Sequence, residues 1–317
     1  MYKIGIDRGG TNIATAVVND KFEIIGKGNL PTKAPRDAYE IAKDMAKTVD
    51  MACEDAGVSK SEIDWIGVGA PGCVNIGTGL IEYSCNLDFN NVPMIEYIEQ
   101  LTGIKCYMEN DANAAAYGEF LAGAGKDVSD FIAITLGTGV GSGIIINNRI
   151  FSGANFFGGE LGHTVIKMDG AECACGRKGC WEAYASATAL INQTKEAMQK
   201  NKDSKLWEVA PSLDDVCGKT VFDAQQMGDK TACEVVDKYL EYVACGIVNV
   251  INTFQPELVC IGGGISKQKD NIVVPIRKYV EKYRYTKYAQ KQTQIMVAQL
   301  GNDAGIIGAA MIGKLYE

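Results

Sequence analysis

Short apolar runs separated by glycine-rich turns begin the chain. Tyr2–Ile6 predicts a buried strand, Gly9-Gly10 a turn and Ile13–Val18 a second strand. From Pro35 to Gly57, apolar residues recur at three- and four-residue spacing, which predicts an amphipathic helix. Strands and helices then alternate, with strands at Ile63–Val68 and Ile104–Met108 and helices at Pro93–Leu101 and Ala112–Leu121. This alternation predicts an α/β architecture.

The opening pattern recurs in the second half of the chain. Segments from Ile4 and from Ile132 both predict strand, glycine/threonine turn and strand, and their apolar positions largely agree when Gly9 is aligned with Gly137. Two matching halves indicate duplicated α/β domains. A long helix is predicted over 235–251, followed by a strand at Leu258–Ile261. No low-complexity linker separates the halves, and the boundary is expected near 112–130.

Composition narrows the class of protein. The 317 residues suffice for two domains, and 47% hydrophobic with 22% charged residues excludes a mostly disordered chain. With 31 basic and 39 acidic residues the net charge is −8, which argues against binding to the phosphate groups of nucleic acid or anionic lipid. We expect no signal peptide or membrane span, because charged residues or glycines interrupt each apolar stretch. We therefore expect a cytoplasmic protein whose eleven cysteines are reduced thiols.

Two glycine turns are candidate phosphate sites. The first is the strand end Asp7-Arg8-Gly9-Gly10-Thr11, and the second is Gly137-Thr138-Gly139. Unobstructed backbone N–H groups beside a hydroxyl and a carboxylate suit a phosphate chain with its Mg²⁺. The alternative is a pair of tight hairpins whose glycines supply positive φ. Occurrence in both halves favours phosphate, and neither turn is a Walker loop.

One histidine and three clustered cysteines predict a metal site. His163 is the only histidine, and Cys173, Cys175 and Cys180 follow it on a glycine-rich segment. This set matches the Cys₃His ligands of a closed, structural zinc site, which has no open position for water. The alternative, three buried cysteines and a core histidine, is disfavoured because three of the eleven cysteines lie within eight residues.

Candidate acidic residues surround this segment. Asp111 falls where a strand ends and a helix begins, a position where α/β sheets present ligand groups, although Asp111 could simply cap that helix. Glu160 and Glu182 flank the predicted zinc ligands and could accept hydrogen bonds from a polyhydroxy ligand. A base, a metal-bound triphosphate and a hydroxyl acceptor together indicate phosphoryl transfer.

Seven motifs, in order, resemble the ROK family of repressors, open reading frames and sugar kinases over essentially the whole chain. They are Asp7–Thr11, Gly67–Gly72, Glu109–Asn113, Leu136–Gly141, Gly158–His163, Cys173–Glu182 and Gly262–Gly264. The resemblance implies an actin-like, hexokinase-type fold of two RNase H-like domains with a cleft between them. It implies domains over 1–115 and 116–302, the second carrying the zinc segment, and a C-terminal helix at about 303–317 that packs back on the first.

The resemblance also implies residue roles. Asp111 would be the base that takes the proton from a sugar 6-hydroxyl. The expected sugar contacts are Asn110, Asp111, Glu160, His163 and Glu182, with His163 also ligating zinc. The expected contacts to ATP and its Mg²⁺ are Asp7, Gly9, Gly10, Thr11, Asn12, Thr138, Gly139, Gly263 and Gly264. Arg8 departs from the family, which usually has an aliphatic residue there, and both a phosphate contact and exposure to solvent are open for it.

Several functions are compatible with the resemblance. Cys180–Ala189 is most similar to bacterial members that phosphorylate glucose with ATP, which makes glucose the expected substrate. Kinases of N-acetylglucosamine, N-acetylmannosamine, fructose or allose, and polyphosphate as donor, are the alternatives within the enzyme class. A sugar-sensing regulator is less expected, because its DNA-binding domain would precede the strand that starts here at residue 2. A homo-oligomer, dimer or tetramer, is also implied.

Overall fold

The computed structural model describes residues 1–9, 11–84 and 87–316. Its strands are β1 (Tyr2–Arg8), β2 (Asn12–Val18), β3 (Ile24–Pro31), β4 (Ile63–Ala70), β5 (Cys73–Asn75), β6 (Leu80–Ser84), β7 (Phe89–Val92), β8 (Cys106–Asn110), β9 (Phe131–Leu136), β10 (Val140–Ile146), β11 (Arg149–Ile150), β12 (Leu258–Gly262) and β13 (Gln294–Val297). Its helices are α1 (Ala38–Ala56), α2 (Met94–Thr102), α3 (Asp111–Ala122), α4 (Glu182–Ala185), α5 (Ala187–Lys200), α6 (Leu206–Val209), α7 (Thr220–Gln226), α8 (Lys230–Phe254), α9 (Asp270–Tyr283), α10 (Asp303–Met311) and α11 (Gly313–Tyr316). The strands and helices predicted from the apolar pattern are confirmed.

The chain folds into two compact units. The first comprises residues 1–132, 143–159 and 299–317, and the second comprises 133–142 and 160–298. The division predicted between 115 and 116 falls inside α3, which lies entirely in the first unit. The functional domain limits stay a prediction.

The two large sheets have the same strand order. The first is β3-β2-β1-β4-β8 and the other is β11-β10-β9-β12-β13. Numbered within each sheet, both orders are 3-2-1-4-5, so the repeat seen in the sequence is a repeat of topology. In the first sheet β1 pairs antiparallel with β2 and parallel with β4, and β4 pairs parallel with β8. The carboxyl ends of β1, β4 and β8 therefore meet at one edge.

Two elements of the first unit had no clear sequence pattern. The edge strand β3 carries glycines, which are depleted in strands. They are needed because α1 packs closely: a Cβ on Gly28 would collide with the carbonyl oxygen of Thr48, and one on Gly26 with that of Ala52. A small antiparallel sheet, β5-β6-β7, follows β4. Its strands are too short to give a readable alternation.

Glycines let the C-terminal helix α10 lie directly on the first sheet. A Cβ on Gly5 of β1 would collide with the carbonyl oxygen of Ile306, and one on Gly67 of β4 with that of Ala309. Gly308 of α10 similarly faces the carbonyl oxygen of Ala114 in the neighbouring helix α3. These contacts hold α10 against the sheet and α3 in the first unit.

A buried carboxylate fixes the start of this C-terminal segment. Glu119 of α3 is 3% exposed, and its oxygens accept hydrogen bonds from the backbone N–H groups of Ala124 (3.1 Å), Gln299 (3.0 Å) and Leu300 (2.7 Å).

We expect Glu119→Gln to lower the free energy of unfolding by about 2–3 kcal/mol, because an NH₂ group would then face backbone donors. Denaturant unfolding measures this. Glu54→Gln, on the exposed face of α1, is the control, and equal effects of both substitutions would contradict the role of Glu119.

In the second unit, the long helix α8 supports the segment that carries the predicted metal ligands. Trp181 is fully buried against Gly246 of α8, where a Cβ would collide with the indole ring. The indole Nε1–H donates to the carbonyl oxygen of Tyr242 at 3.0 Å, and the hydroxyl of Tyr239 donates to that of Ala185 at 2.8 Å. Cys180, next to Trp181, is therefore anchored to the unit's core.

None of the helices in the described part of the chain combines the length and the apolar character that a bilayer crossing requires.

Candidate active site

Asp7 lies near the carboxyl end of β1 and faces α10. A Cβ placed on Gly305 would lie 2.7 Å from Asp7 Oδ2, so only glycine leaves room for this carboxylate. Burial raises the pKa of Asp7 to about 6, the negative charge of Asp111 adds to the rise, and the positive charge of Arg8 opposes it. Asp7 and Asp111 thus share one electrostatic environment in the first unit.

The turn after β1 connects two antiparallel strands and is tied by hydrogen bonds. The N–H of Gly9 donates to the carbonyl oxygen of Asn12 at 2.9 Å, and Thr32 donates its hydroxyl to Gly9 O (2.9 Å) and its N–H to Thr11 O (2.8 Å). Gly9 does not have a positive φ, so its own position does not require glycine on conformational grounds. Gly10 lies outside the described residues. Phosphate binding by this turn stays a prediction.

Asn110, and not Asp111, is the N-cap of α3. Its Oδ1 accepts hydrogen bonds from the N–H groups of Ala112 (2.9 Å) and Asn113 (3.2 Å), and its Nδ2 donates to the carbonyl oxygen of Gly72 at 3.2 Å. The interpretation of Asp111 as the cap is therefore wrong. Asp111 is the first residue of the helix, and its Oδ1 accepts a hydrogen bond from Ala112 N–H at 2.9 Å. Burial raises its pKa, while that hydrogen bond and the charge of Arg8 oppose the rise.

The residue before this pair is a fully buried carboxylate. Glu109 accepts hydrogen bonds from Asn110 N–H (2.8 Å), Asn113 Nδ2 (3.0 Å) and the hydroxyl of Tyr316 (2.8 Å). Burial raises the pKa of Glu109, and its three donors oppose the rise. The contact joins residues 207 positions apart, so no local sequence signal could have shown it. It fixes the backbone immediately before Asp111.

In the second unit, the remaining predicted acidic residues lie around a short 3₁₀ turn. Glu160 precedes the turn Leu161–His163, and the N–H of His163 donates to Glu160 O at 3.1 Å. Glu182 begins α4, and its Oε2 accepts from the N–H of Val140 at 2.9 Å. A Cβ on Gly139 would collide with the same carboxylate, so glycine there makes room for Glu182. Contacts of these residues with sugar stay predictions.

The other predicted nucleotide contacts lie at turns of the same unit. Thr138 is exposed, and its carbonyl oxygen accepts from the hydroxyl of Thr188 at 2.8 Å. Gly263 has a φ of +82°, and a Cβ there would meet the backbone of Leu136. Gly264 then begins a 3₁₀ segment with open space beside it. Gly263 therefore allows close packing against Leu136, and Gly264 leaves open space beside the backbone after β12. Binding of adenosine by these glycines stays a prediction.

The four predicted metal ligands converge. The ligand atoms of His163, Cys173, Cys175 and Cys180 all lie within 4.8 Å of one another. Cys173 Sγ is 3.6 Å from His163 Nδ1, and Cys175 Sγ is 3.7 Å from Cys180 Sγ. Zinc bonds of about 2.3 Å to sulfur and about 2.0 Å to nitrogen separate tetrahedral ligands by about 3.8 Å (S–S) and about 3.5 Å (S–N). The residues therefore fit a tetrahedral zinc, with Nε2 of His163 on the far side of the ring.

The chain is similar to known sugar kinases along its whole length. Residues 3–315 match the sequence model of the ROK family. This chain belongs to the ROK family. It is 37% identical over 317 residues to a glucokinase of Halalkalibacterium halodurans, covering 100% of this chain and 96% of that one.

Solved structures of the family share the fold. A ROK family glucokinase from Streptomyces griseus, in complex with glucose and AMPPNP, has a TM-score of 0.82, 34% identity and 98% coverage of both chains. A putative N-acetylmannosamine kinase from Listeria monocytogenes has a TM-score of 0.79 and 27% identity, covering 98% of this chain and 97% of that one. The actin-like, hexokinase-type fold expected from the sequence is confirmed.

Proposed function

We propose that this ROK protein transfers the terminal phosphoryl group of ATP, bound with Mg²⁺, to the 6-hydroxyl of glucose. The observation that carries the proposal is the position of Asp111. It is a half-buried carboxylate with a raised pKa at the carboxyl edge of the first sheet. The preceding residue, Asn110, is held by hydrogen bonds from its N–H to Glu109 and from its amide to the carbonyl oxygen of Gly72. The similarity to glucokinases over the full chain supports the choice of reaction and substrate.

In this mechanism, Asp111 Oδ accepts the proton of the sugar 6-hydroxyl as the oxygen attacks phosphorus. Its raised pKa makes it a better proton acceptor than an exposed aspartate, provided that it is ionised at the working pH. Asn110 has its amide tied to Gly72 O and its Oδ1 to the helix, so it presents a fixed group beside the base. The phosphate groups of ATP and the Mg²⁺ would be bound by Asp7, Gly9, Gly10, Thr11 and Asn12.

Residues of the second unit would fix the other hydroxyls of the sugar and bind the rest of the nucleotide. Glu160, His163 and Glu182 are assigned to the sugar, Thr138 and Gly139 to the phosphates, and Gly263 and Gly264 to the adenosine side. The zinc would hold His163 through Nδ1 and leave Nε2 for a sugar hydroxyl. Because all four ligand positions come from the protein, we assign this metal a structural role.

A coupled ADP-release assay tests the proposed reaction. With Mg-ATP, the panel is glucose, N-acetylglucosamine, N-acetylmannosamine, fructose, mannose and allose, and we expect the highest kcat/KM for glucose. A preference for an acetamido sugar would be consistent with Asp111 as the base but would contradict glucose as the substrate. If sugars bind but none of them is phosphorylated, the protein would be a sugar sensor. Replacing ATP with polyphosphate in the same assay tests the identity of the phosphoryl donor.

Acid pH is expected to reduce kcat/KM with a midpoint near pH 6. The pKa of Asp7 is raised to about 6, chiefly by burial, and burial also raises the pKa of Asp111 above its usual value. Protonated Asp111 cannot accept the sugar proton, and protonated Asp7 is a poor Mg²⁺ ligand, so activity falls as pH decreases. A pH–rate profile at constant ionic strength measures this, with circular dichroism to exclude unfolding. A flat profile down to pH 5 would contradict it.

We also propose a cytoplasmic location and a homo-oligomeric assembly for this protein. None of the ten cysteines in the described part of the chain forms a disulfide bond, which is compatible with a cytoplasmic enzyme. The dimer or tetramer implied by the family stays a prediction, and light scattering coupled to size-exclusion chromatography measures it.

A further inference from the structure

Arg8 is a buried cation without a hydrogen-bond partner in the described part of the chain. Its side chain is 0% exposed, and none of its three guanidinium nitrogens has a hydrogen-bond partner among the described residues. Its guanidinium carbon lies 5.5 Å from the centre of the Phe89 ring. A buried charge is costly unless it is paired, and an aromatic face compensates only part of that cost. Exposure to solvent, one of the two expectations from the sequence, is wrong.

The strand register places Arg8 beside the proposed sugar-binding residues. Asp7 pairs with Gly69 of β4, and Ala70, one residue further, pairs with Asn110 of β8. Side chains alternate along a strand, so Arg8 and Asn110 lie on one face of the sheet, opposite the face where Asp7 meets α10. Arg8 therefore stands at the carboxyl edge of the sheet, on the side of Asn110.

Arg8 keeps its positive charge at neutral pH. Burial lowers its pKa to about 10, and the carboxylates of Asp111 and Asp7 oppose that lowering. Neither carboxylate forms a hydrogen bond with it in the described structure, so the donors of the guanidinium remain available. Because the cation has no hydrogen-bond acceptor within residues 1–9, 11–84 and 87–316, turning it toward an incoming anion breaks no hydrogen bond to them.

We propose that Arg8 binds the phosphoryl group during its transfer to the sugar. This rests on the proposed function, since phosphoryl transfer is what brings an anion to Asp111. A guanidinium donates two parallel hydrogen bonds to phosphate oxygens, and phosphate charge would compensate the buried cation, as neutral sugar hydroxyls would not. The phosphoryl group arrives on ATP and leaves on the sugar, so both ligands present the same chemistry to Arg8.

The test is Arg8→Met in the full-length protein, with binding measured separately from turnover. We expect the dissociation constant of glucose 6-phosphate to rise at least about 10-fold, and kcat/KM to fall about 10- to 100-fold, because charge-assisted hydrogen bonds are lost. Glucose binding should change less than about 3-fold. The melting temperature without ligand should stay equal or rise, because a buried unpaired charge has been removed.

Further arms identify the source of the phosphate and the need for the planar group. Weaker binding of glucose 6-phosphate alone assigns Arg8 to the product, and weaker binding of AMPPNP with Mg²⁺ as well assigns it also to the donor. Arg8→Lys should restore part of the phosphate affinity, because one charge remains without the bidentate geometry. Arg149→Met, which removes an exposed arginine, is the matched control and should change neither ligand.

Two results would overturn the inference. Unchanged binding of both phosphate ligands in Arg8→Met excludes a phosphoryl contact, and a lower melting temperature with it would make Arg8 a structural cation on Phe89. If the wild type phosphorylates no sugar, the proposed function fails. Arg8 is still tested in that case, because binding of glucose 6-phosphate is compared between wild type and variant without any turnover.

Discussion

Asp111→Asn is expected to lower kcat by about 10³-fold while glucose still binds. The amide has the same shape and its oxygen can still accept the Ala112 N–H bond, so the local structure should persist. An amide cannot take up the proton of the 6-hydroxyl, so the loss should appear in kcat rather than in sugar affinity. Single-turnover kinetics and calorimetric titration of glucose measure the two quantities.

The matched control changes a carboxylate to an amide at another helix start. Asp37 is the exposed N-cap of α1, where asparagine caps equally well, so Asp37→Asn should keep the wild-type kcat. If Asp111→Asn kept near wild-type turnover, Asp111 would not be the base. If it lost glucose binding as well, its main role would be to hold the sugar.

Cys175→Ser is expected to release the metal and destabilise the second unit. Structural zinc contributes its binding free energy directly to folding, and a hydroxyl is a poor substitute for a thiolate ligand. We expect less than one equivalent of zinc per chain and a melting temperature lower by roughly 5–10 °C, the shift for about 3 kcal/mol in a unit of this size. Elemental analysis and calorimetry of reduced, chelator-free protein provide both numbers.

Cys233→Ser controls for the loss of a thiol as such. Cys233 is exposed and outside the cluster, so this variant should keep its zinc and its melting temperature. Wild-type protein purified under the same conditions without any zinc would refute the metal assignment. Loss of zinc without loss of stability would leave a metal site that does not support the fold.

Secondary structure could be predicted from the sequence wherever buried residues recur with a regular period. The strand at Tyr2–Ile6 and the helix over 235–251 correspond to β1 and to the central part of α8, because their apolar residues repeat with the period of the element. The repeat of strand, glycine turn and strand can also be detected in the amino-acid sequence. It is confirmed by two sheets with one strand order. The ligand set of the metal cluster follows from residue types and short spacing alone.

Contacts between distant segments could not be predicted from the sequence, because they depend on how the folded chain packs. The glycines of β3 weaken its strand signal, and they are explained only by the approach of α1. The sequence around Glu109 contains no signal for its hydrogen bond with Tyr316. The sequence around Glu119 likewise contains no signal for its hydrogen bonds with the backbone of residues 299 and 300.

Arg8 shows the same limit most clearly. The strand was predicted to end at Ile6, and the structure extends it by two residues to Arg8. Whether Arg8 is solvated or buried depends on Phe89, on the neighbouring strands and on the carboxylate of Asp111. Burial and the charges around a group are sums over atoms from many segments, whereas local sequence fixes only the backbone conformation and the direction in which a side chain leaves it. The sequence therefore determined which groups are available for chemistry, and packing decided their protonation, their partners and their access to a ligand.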